Sequence, residues 1–297
     1  MNIRRLKDSI SSRLMLAATA FACLLFFFML VGLYYRASPI LSTEPIFDLL
    51  FSKEWSPNAG KFGFFPFIMG TLWVTGLAIV IAVPISLLSS IYLSEYADSS
   101  LRAAANPLID LLAGIPSVVY GLWGVIAVVP FIRNIFAPAL GVETIGGYSI
   151  LAGGIVLSIM VFPIIISITS EVMRSVSQDL REVSLSVGAT KWQTIKHVVL
   201  RKAKPGIFAA IILGFSRAFG ETMAVLMVVG NVYRVPSSIF DPAYPLPALI
   251  ANTFGEMMSI PLYDSAIMLA ALLLLIVVMI FNILARMVLI KIEKGVI

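Results

Sequence analysis

Six apolar runs, each long enough to cross a membrane as an α-helix, dominate this chain of 297 residues. An α-helix rises about 1.5 Å per residue, so about 20 residues cross a hydrocarbon core about 30 Å thick. A backbone inside lipid must satisfy its own hydrogen bonds, which favours helices for such runs. We therefore predict an all-α integral membrane protein with six transmembrane helices. The predicted spans are 14–35, 65–93, 108–132, 148–170, 206–230 and 263–290.

Composition agrees with a membrane protein and argues against an enzyme. Hydrophobic residues make up 60% of the chain, and charged residues 12%, well below the roughly 25% usual in soluble domains. The sequence has no G-x-x-x-x-G-K-[ST], H-E-x-x-H or G-x-S-x-G motif. His197 is the only histidine and Cys23 the only cysteine, so neither a histidine-based metal site nor an internal disulfide can form. We expect no catalytic residue, no metal and no cofactor in this chain.

The distribution of positive charge predicts the orientation in the membrane. Of the 21 Lys and Arg residues, 15 lie on the side of the two termini, 5 lie on the opposite side, and Arg217 lies inside a predicted span. Positive residues accumulate on the cytoplasmic side, so both termini are predicted to be cytoplasmic. Residues 1–64 are then a retained signal-anchor helix, peripheral and facing lipid, followed by an extracytoplasmic loop. Residues 65–290 form the transmembrane domain, and 291–297 a cytoplasmic tail.

The longest polar stretch, residues 171–205, separates the fourth and fifth spans on the predicted cytoplasmic side. The periodicity of its apolar residues predicts a first helix over 177–187 with Leu180, Val183 and Val187 on one face. Gly188 can end that helix in a left-handed conformation. Thr190 and Gln193 have the spacing of a capping box, which starts a second helix that we expect to end at Pro205. The stretch is predicted to be two helices joined at a glycine.

This stretch resembles the "EAA" loop of ABC-importer permeases. Glu182 and Gly188 have the loop's E-x-x-x-x-x-G spacing, although Val183 and Ser184 replace its alanines and Arg201 replaces its proline. Two other motifs, at 114–124 (GIPSVVYGLWG) and 220–231 (GETMAVLMVVGN), are similar to those of PstC-type permease subunits of phosphate importers. The resemblance covers residues 65 to 285 and implies the architecture of a type I ABC-importer permease in a bacterial inner membrane.

The resemblance also implies partners. In that family the loop is a coupling helix that docks into an ATPase subunit, so we call residues 171–205 the coupling stretch. The implied partners are a phosphate ion, a homologous permease subunit, two ATP-binding subunits, an extracytoplasmic phosphate-binding protein and membrane lipid, but no nucleic acid. ATP would be bound and hydrolysed by the partner subunits. The implied docking residues are Glu182, Ser184, Gly188, Ala189 and Thr190.

The fifth predicted span carries two charged residues, Arg217 and Glu221, which would share one face of a continuous helix. An arginine near the middle of the bilayer costs roughly 2.5–3.5 kcal/mol on insertion scales, so something must offset that cost. One interpretation is a structural ion pair between the two residues. The interpretation that we favour is a cation lining an anion path, and the resemblance implies the same role. Ser117 and Tyr120 are further candidates, as hydrogen-bond donors to the anion.

Three other functions compete with phosphate import. Related permeases move sulphate or molybdate, which the residues alone do not exclude. A stand-alone secondary transporter would need no docking platform such as the coupling stretch. A membrane-tethered DNA-binding regulator is disfavoured, because a helix pair held at both ends by spans leaves no third helix to form a core.

Overall fold

The computed structural model describes residues 3–144, 146–256, 260 and 262–294. The described residues are almost entirely helical, as predicted. In chain order the elements are α1 (Ile3–Thr43), α2 (Ile46–Phe51), β1 (Trp55–Ser56), β2 (Lys61–Phe62), α3 (Phe65–Ile91) with a π-helical turn at Tyr92–Tyr96, α4 (Ser99–Gly114), α5 (Ser117–Ala139), α6 (Ile150–Arg174), α7 (Gln178–Ser186), α8 (191–219), α9 (Met223–Val228), α10 (Leu246–Thr253) and α11 (Tyr263–Lys294).

Five helices are long and apolar enough to cross a membrane within the described part of the chain. They are Lys7–Thr43, Phe65–Tyr96, Ser117–Ala139, Ile150–Arg174 and Tyr263–Ile292. The remaining predicted span, the fifth at 206–230, is divided between the end of α8 and the short α9, with a break at residues 220–222. The six-span architecture is compatible with this arrangement, in which the fifth span is discontinuous.

The third predicted span begins later than expected. The sequence predicted a loop over 94–107 and a span over 108–132, but residues 99–114 form a separate helix, α4, and the spanning helix starts at Ser117. Pro116 has no N–H and disfavours the helical conformation in the residue before it, which explains the break. Ile115 is accordingly extended, with φ −67° and ψ 129°.

The N-terminal region is more structured than predicted. Helix α1 continues to Thr43, where the sequence predicted a loop from residue 36, and α2 and a two-stranded hairpin follow it. Trp55 of the hairpin packs edge-on against Phe62, Phe64 and Phe67, so aromatic burial orders this loop. The most apolar window of α1 is not buried by the rest of the chain, which agrees with a peripheral helix facing lipid.

The centre of the fold is the pair α3 and α6. Gly153 and Gly154 of α6 allow the close approach, because a Cβ at these positions would lie 3.2 Å from Val74 and 2.9 Å from Leu77 of α3. Small residues commonly permit such contacts between membrane helices. Helix α10 lies in the loop between the fifth and sixth spans and ends at Thr253.

The second helix of the coupling stretch does not end at Pro205. It starts at Lys191, passes through a π-helical turn at Ile195–Val199 and continues through Pro205 to Phe219. A proline inside a helix costs roughly 3 kcal/mol, so packing must offset the lost bond. Val199, Ala203 and Ile207 of this helix are buried against Met173 of α6. The second helix of the coupling stretch and the first part of the fifth span therefore form one continuous helix, α8.

Candidate functional site

The turn between the two coupling helices has the predicted geometry. Gly188 has φ +86°, the left-handed conformation that favours glycine, and its N–H donates to the Leu185 carbonyl at 3.0 Å. The Thr190 hydroxyl accepts from the Gln193 N–H at 3.3 Å, and the Gln193 side chain accepts from the Thr190 N–H at 2.8 Å. Both halves of the predicted capping box are thus present.

Helix α7 presents its apolar residues to the exterior of the chain. No residue of this helix is buried, and Val183 and Val187 keep 62% and 80% of their exposure. Glu182 is exposed beside them, whereas the half-buried Ser184 shares a hydrogen bond of 2.9 Å with Thr194 of α8. Ser184 therefore holds the two coupling helices together, and the exposed face lies on the other side of α7.

The first motif that resembles an importer permease contains the break before α5. Tyr120 is buried, and its hydroxyl donates to the Leu112 carbonyl in the last turn of α4 at 2.8 Å. Ser117 is half-buried in the first turn of α5. The Tyr120 bond spans the break at Ile115–Pro116, so this side chain fixes the angle between α4 and α5.

The second motif contains the break between α8 and α9. Glu221 follows the end of α8, and its carboxylate accepts from the N–H groups of Met223 and Ala224 at 3.1 and 3.3 Å. A carboxylate satisfies free N–H groups at the start of a helix and is favoured there by the helix dipole. Glu221 thus caps the first turn of α9 with its side chain, from the position before the N-cap residue Thr222.

The break overturns the expectation that Arg217 and Glu221 share a helix face. Arg217 lies in the last turn of α8 and Glu221 beyond its end, and the ion pairs found among the described residues do not include Arg217. The Arg217 side chain is exposed at the surface of the chain. The structural ion pair considered from the sequence is absent from the described residues.

Glycines of the first motif bring α5 and α9 into contact. A Cβ at Gly121 would lie 3.1 Å from Cα of Ala224, and a Cβ at Gly124 would lie 2.7 Å from Val228. Because residue numbers rise in the same direction in both contacts, the two helices run parallel. Their N-terminal ends therefore meet at one end of the pair, with the start of α5 beside the capped start of α9. A Cβ at Gly114 would meet nothing within 4 Å, so that glycine permits no close approach.

Two helix breaks thus position the four predicted path residues. Ser117 and Tyr120 lie at the first break, Glu221 lies at the second, and Arg217 lies one turn before the second. Helix starts carry partial positive charge, and Arg217 adds a full one. The carboxylate of Glu221 offsets part of this field. The arrangement can attract an anion to an exposed face of the chain.

The sequence did not point to Glu95, which lies in the π-helical turn at the end of α3. Its carboxylate forms an ion pair with Arg181 of α7, with an Nη1–Oε2 distance of 2.6 Å. Its position directly after a long apolar run could have indicated a buried ion pair, because a buried carboxylate needs a partner.

Comparison with known proteins agrees with this geometry. Residues 82–294 match the family described as "Binding-protein-dependent transport system inner membrane component". The chain is 42% identical over 211 residues to the probable ABC transporter permease protein YqgH of Bacillus subtilis, covering 70% of this chain and 66% of that protein. It is 34% identical over 294 residues to the phosphate transport system permease protein PstC of Xylella fastidiosa, covering 95% and 90% of the two chains.

A solved structure shows the same fold at low identity. A bacterial alginate ABC transporter, in complex with an alginate pentasaccharide-bound periplasmic protein, contains a chain that is 17% identical, with a TM-score of 0.63. The match covers 95% of this chain and 96% of that one. Permeases of this kind are not themselves enzymes, because the ATPase is a separate subunit. The chain therefore belongs to the family of multi-pass inner-membrane components of binding-protein-dependent transport systems.

Proposed function

We propose that this chain is a permease subunit of an ATP-driven importer of inorganic phosphate. The observation that supports it most is the 34% identity to a phosphate permease across 95% of the chain. That extent includes the coupling stretch and both motifs at the helix breaks. The proposal has two parts, an anion path at Arg217 and an ATPase dock at α7.

The anion path is supported by an exposed cation next to two helix starts. Arg217 is exposed in a predicted membrane span, where contact of its charge with lipid alone would cost free energy. A guanidinium binds the oxygens of a phosphate dianion in a bidentate way. Ser117 has a hydroxyl at the start of α5, whereas the only proton of the Tyr120 hydroxyl is already donated to the Leu112 carbonyl. Glu221 already occupies the N–H groups of α9, and its negative charge keeps the anion from binding too tightly to leave.

The position of this path at the surface of the chain favours a second permease subunit. Arg217 and half-buried Ser117 face outward instead of lining an enclosed channel. A homologous permease facing the same surface would close the path from the other side. In the proposed assembly, this heterodimer receives phosphate from an extracytoplasmic phosphate-binding protein and is embedded in membrane lipid.

The dock is supported by the exposed face of α7. Glu182 and its apolar neighbours have no partner among the described residues on that face, while Gly188, Ala189 and Thr190 set its angle to α8. We place two ATP-binding subunits against this helix and its counterpart in the second permease. ATP is bound there and not by this chain, which needs no cofactor of its own. Both termini and the coupling stretch are cytoplasmic in this proposal.

An anion panel tests the proposed cargo. Cells that produce this chain would be compared with cells deleted for it and with deleted cells in which it is restored. We expect deletion to abolish uptake of labelled phosphate at micromolar concentration and restoration to recover it, with sulphate and molybdate uptake unchanged. Loss of sulphate or molybdate uptake with normal phosphate uptake would assign the permease to that oxyanion instead.

A further inference from the structure

A buried ion pair joins the coupling stretch to two membrane-spanning helices. Arg181 of α7 donates through Nη1 to both carboxylate oxygens of Glu95, at 2.8 and 2.6 Å. Its Nη2 donates to the Met173 carbonyl in the last turn of α6, at 2.7 Å. The two charged side chains keep only 15% and 8% of their exposure. Arg181 thus holds α7 against the ends of α3 and α6 together.

The value of this ion pair lies in geometry more than in stability. The cost of removing two charges from water offsets most of their attraction, so a buried pair adds little net stability. The planar guanidinium of Arg181 nevertheless fixes the geometry, because Nη1 is bound to the Glu95 carboxylate while Nη2 is bound to the Met173 carbonyl. The chain also offers an exposed counterpart, the Glu54–Lys61 pair in the hairpin, whose side chains keep 65% and 60% of their exposure. Exposed ion pairs of that kind hardly restrain the position of their helices or strands and contribute little to the free energy of unfolding.

The π-helical turn Tyr92–Tyr96 is held by both coupling helices. Arg181 reaches it from α7 through Glu95, and the Lys191 ammonium at the start of α8 lies 4.6 Å from the centre of the Tyr96 ring. Wider turns of this type interrupt the regular hydrogen-bond pattern and often mark functional positions. A displacement of the coupling stretch therefore acts on this turn from two points.

The same turn is also connected to α4. Arg102 donates to the carbonyls of Leu93, Ser94 and Ala97, at 3.1, 3.4 and 3.0 Å. At the other end of α4, the Leu112 carbonyl accepts from the Tyr120 hydroxyl of α5. Polar contacts and one rigid helix thus form a continuous connection from α7 to the start of α5.

We propose that the Arg181–Glu95 pair is the positioning link that transmits movement of the docked coupling stretch through α4 to the start of α5. The inference rests on the proposed function, because that function places an ATPase at α7 and the anion path at Ser117. The break at Ile115–Pro116 is the element that changes, since Pro116 cannot continue the hydrogen bonding of α4. Arg181 and Glu95 act through other residues and do not contact the anion.

The test measures how accessible residue 117 is to a thiol reagent while the ATPase hydrolyses ATP. Ser117→Cys is introduced into a Cys23→Ala background, and the permease is assembled with its partner subunits. The rate of labelling by a small thiol reagent is measured with and without ATP. We expect ATP to change the rate at residue 117, and Glu95→Gln to reduce that change about fivefold or more, the lower range of couplings between sites. Glu54→Gln makes the same chemical change in the exposed pair. It should leave the ATP-dependent change in labelling rate as large as in the parent protein, which keeps both glutamates.

Each remaining outcome also decides the inference. An ATP response that persists in Glu95→Gln at equal ATPase occupancy, or that is absent in the parent, overturns it. If Glu95→Gln assembles poorly, Arg181→Lys is used instead, because lysine keeps the charge but loses the planar fork. A smaller ATP-dependent change in labelling rate in Arg181→Lys supports the link, and an undiminished change overturns it. The labelling uses no phosphate, so a wrong cargo would appear in the anion panel without affecting this result.

Discussion

At the scale of residues, the exposed guanidinium of Arg217 is the most unusual feature of the path. It lies one turn before a helix break, and the neighbouring Glu221 uses its carboxylate to cap α9 instead of pairing with it. An unpaired cation at this depth is costly unless water, an anion or a partner subunit solvates it. In the proposed path, the Arg217 side chain contacts the passing anion transiently.

Replacing Arg217 by lysine tests whether phosphate uptake needs only the positive charge or also the planar guanidinium. Lysine keeps the positive charge but cannot contact two phosphate oxygens through a planar fork, so phosphate uptake should fall about tenfold, near the cost of about 1.4 kcal/mol for one lost charged hydrogen bond. Uptake of labelled phosphate at matched protein levels measures this effect. Arg133→Lys, an exposed arginine near the end of α5, is the control and should transport normally. Equal uptake by both variants would remove Arg217 from the path.

Residue-level prediction succeeded where the signal was local. Thr190 and Gln193 lie three positions apart, and their capping box follows from spacing alone. It failed for Arg217 and Glu221, because the expected shared face required a continuous helix, which the break after Phe219 removes. Glu95 and Arg181 lie 86 positions apart, and no local pattern reveals a pair across that distance.

At the scale of elements, the angle between α7 and α8 depends on one glycine. Gly188 has φ +86°, and a Cβ there would meet nothing within 4 Å, so a substitution is opposed by the backbone conformation alone. Gly141, in the loop after α5, has φ +67° and equally open surroundings. The two glycines form a matched pair on opposite sides of the proposed membrane.

Gly188→Val should weaken ATPase docking, because a β-branched residue at positive φ costs on the order of 1 kcal/mol or more and would change the turn. Co-purification of the ATPase after mild detergent extraction measures docking, with membrane insertion checked separately. Gly141→Val carries similar backbone strain but should bind the ATPase normally. Normal docking by Gly188→Val would place the ATPase contact elsewhere.

Element boundaries were predicted well where capping or glycine residues determine them, and poorly where packing does. Pro205 was expected to end a helix, but burial of Ala203 and Ile207 against α6 carries the helix through it. The break at Ile115–Pro116 lay inside a run that hydropathy treats as one span, because apolar residues continue on both sides of the proline. Hydropathy indicates whether a run of residues prefers lipid, but it does not indicate whether that run forms one unbroken helix.

At the scale of the whole molecule, the two helix breaks converge on one region and the coupling stretch lies at one end of the fold. Discontinuous helices in transporters commonly present their ends to substrate. A secondary transporter could share that feature, but the exposed α7 with its fixed angle to the fifth span favours a docked ATPase. We therefore expect this chain to move phosphate only when a partner hydrolyses ATP.

Reconstitution in lipid vesicles measures whether phosphate transport depends on ATP. The permease would be placed in lipid vesicles with its second permease, its ATPase subunits and the binding protein, and entry of labelled phosphate followed with and without ATP. We expect phosphate to accumulate only when ATP and the binding protein are both present, and vesicles lacking this chain to accumulate none. Accumulation of phosphate without ATP, driven by an ion gradient alone, would contradict it.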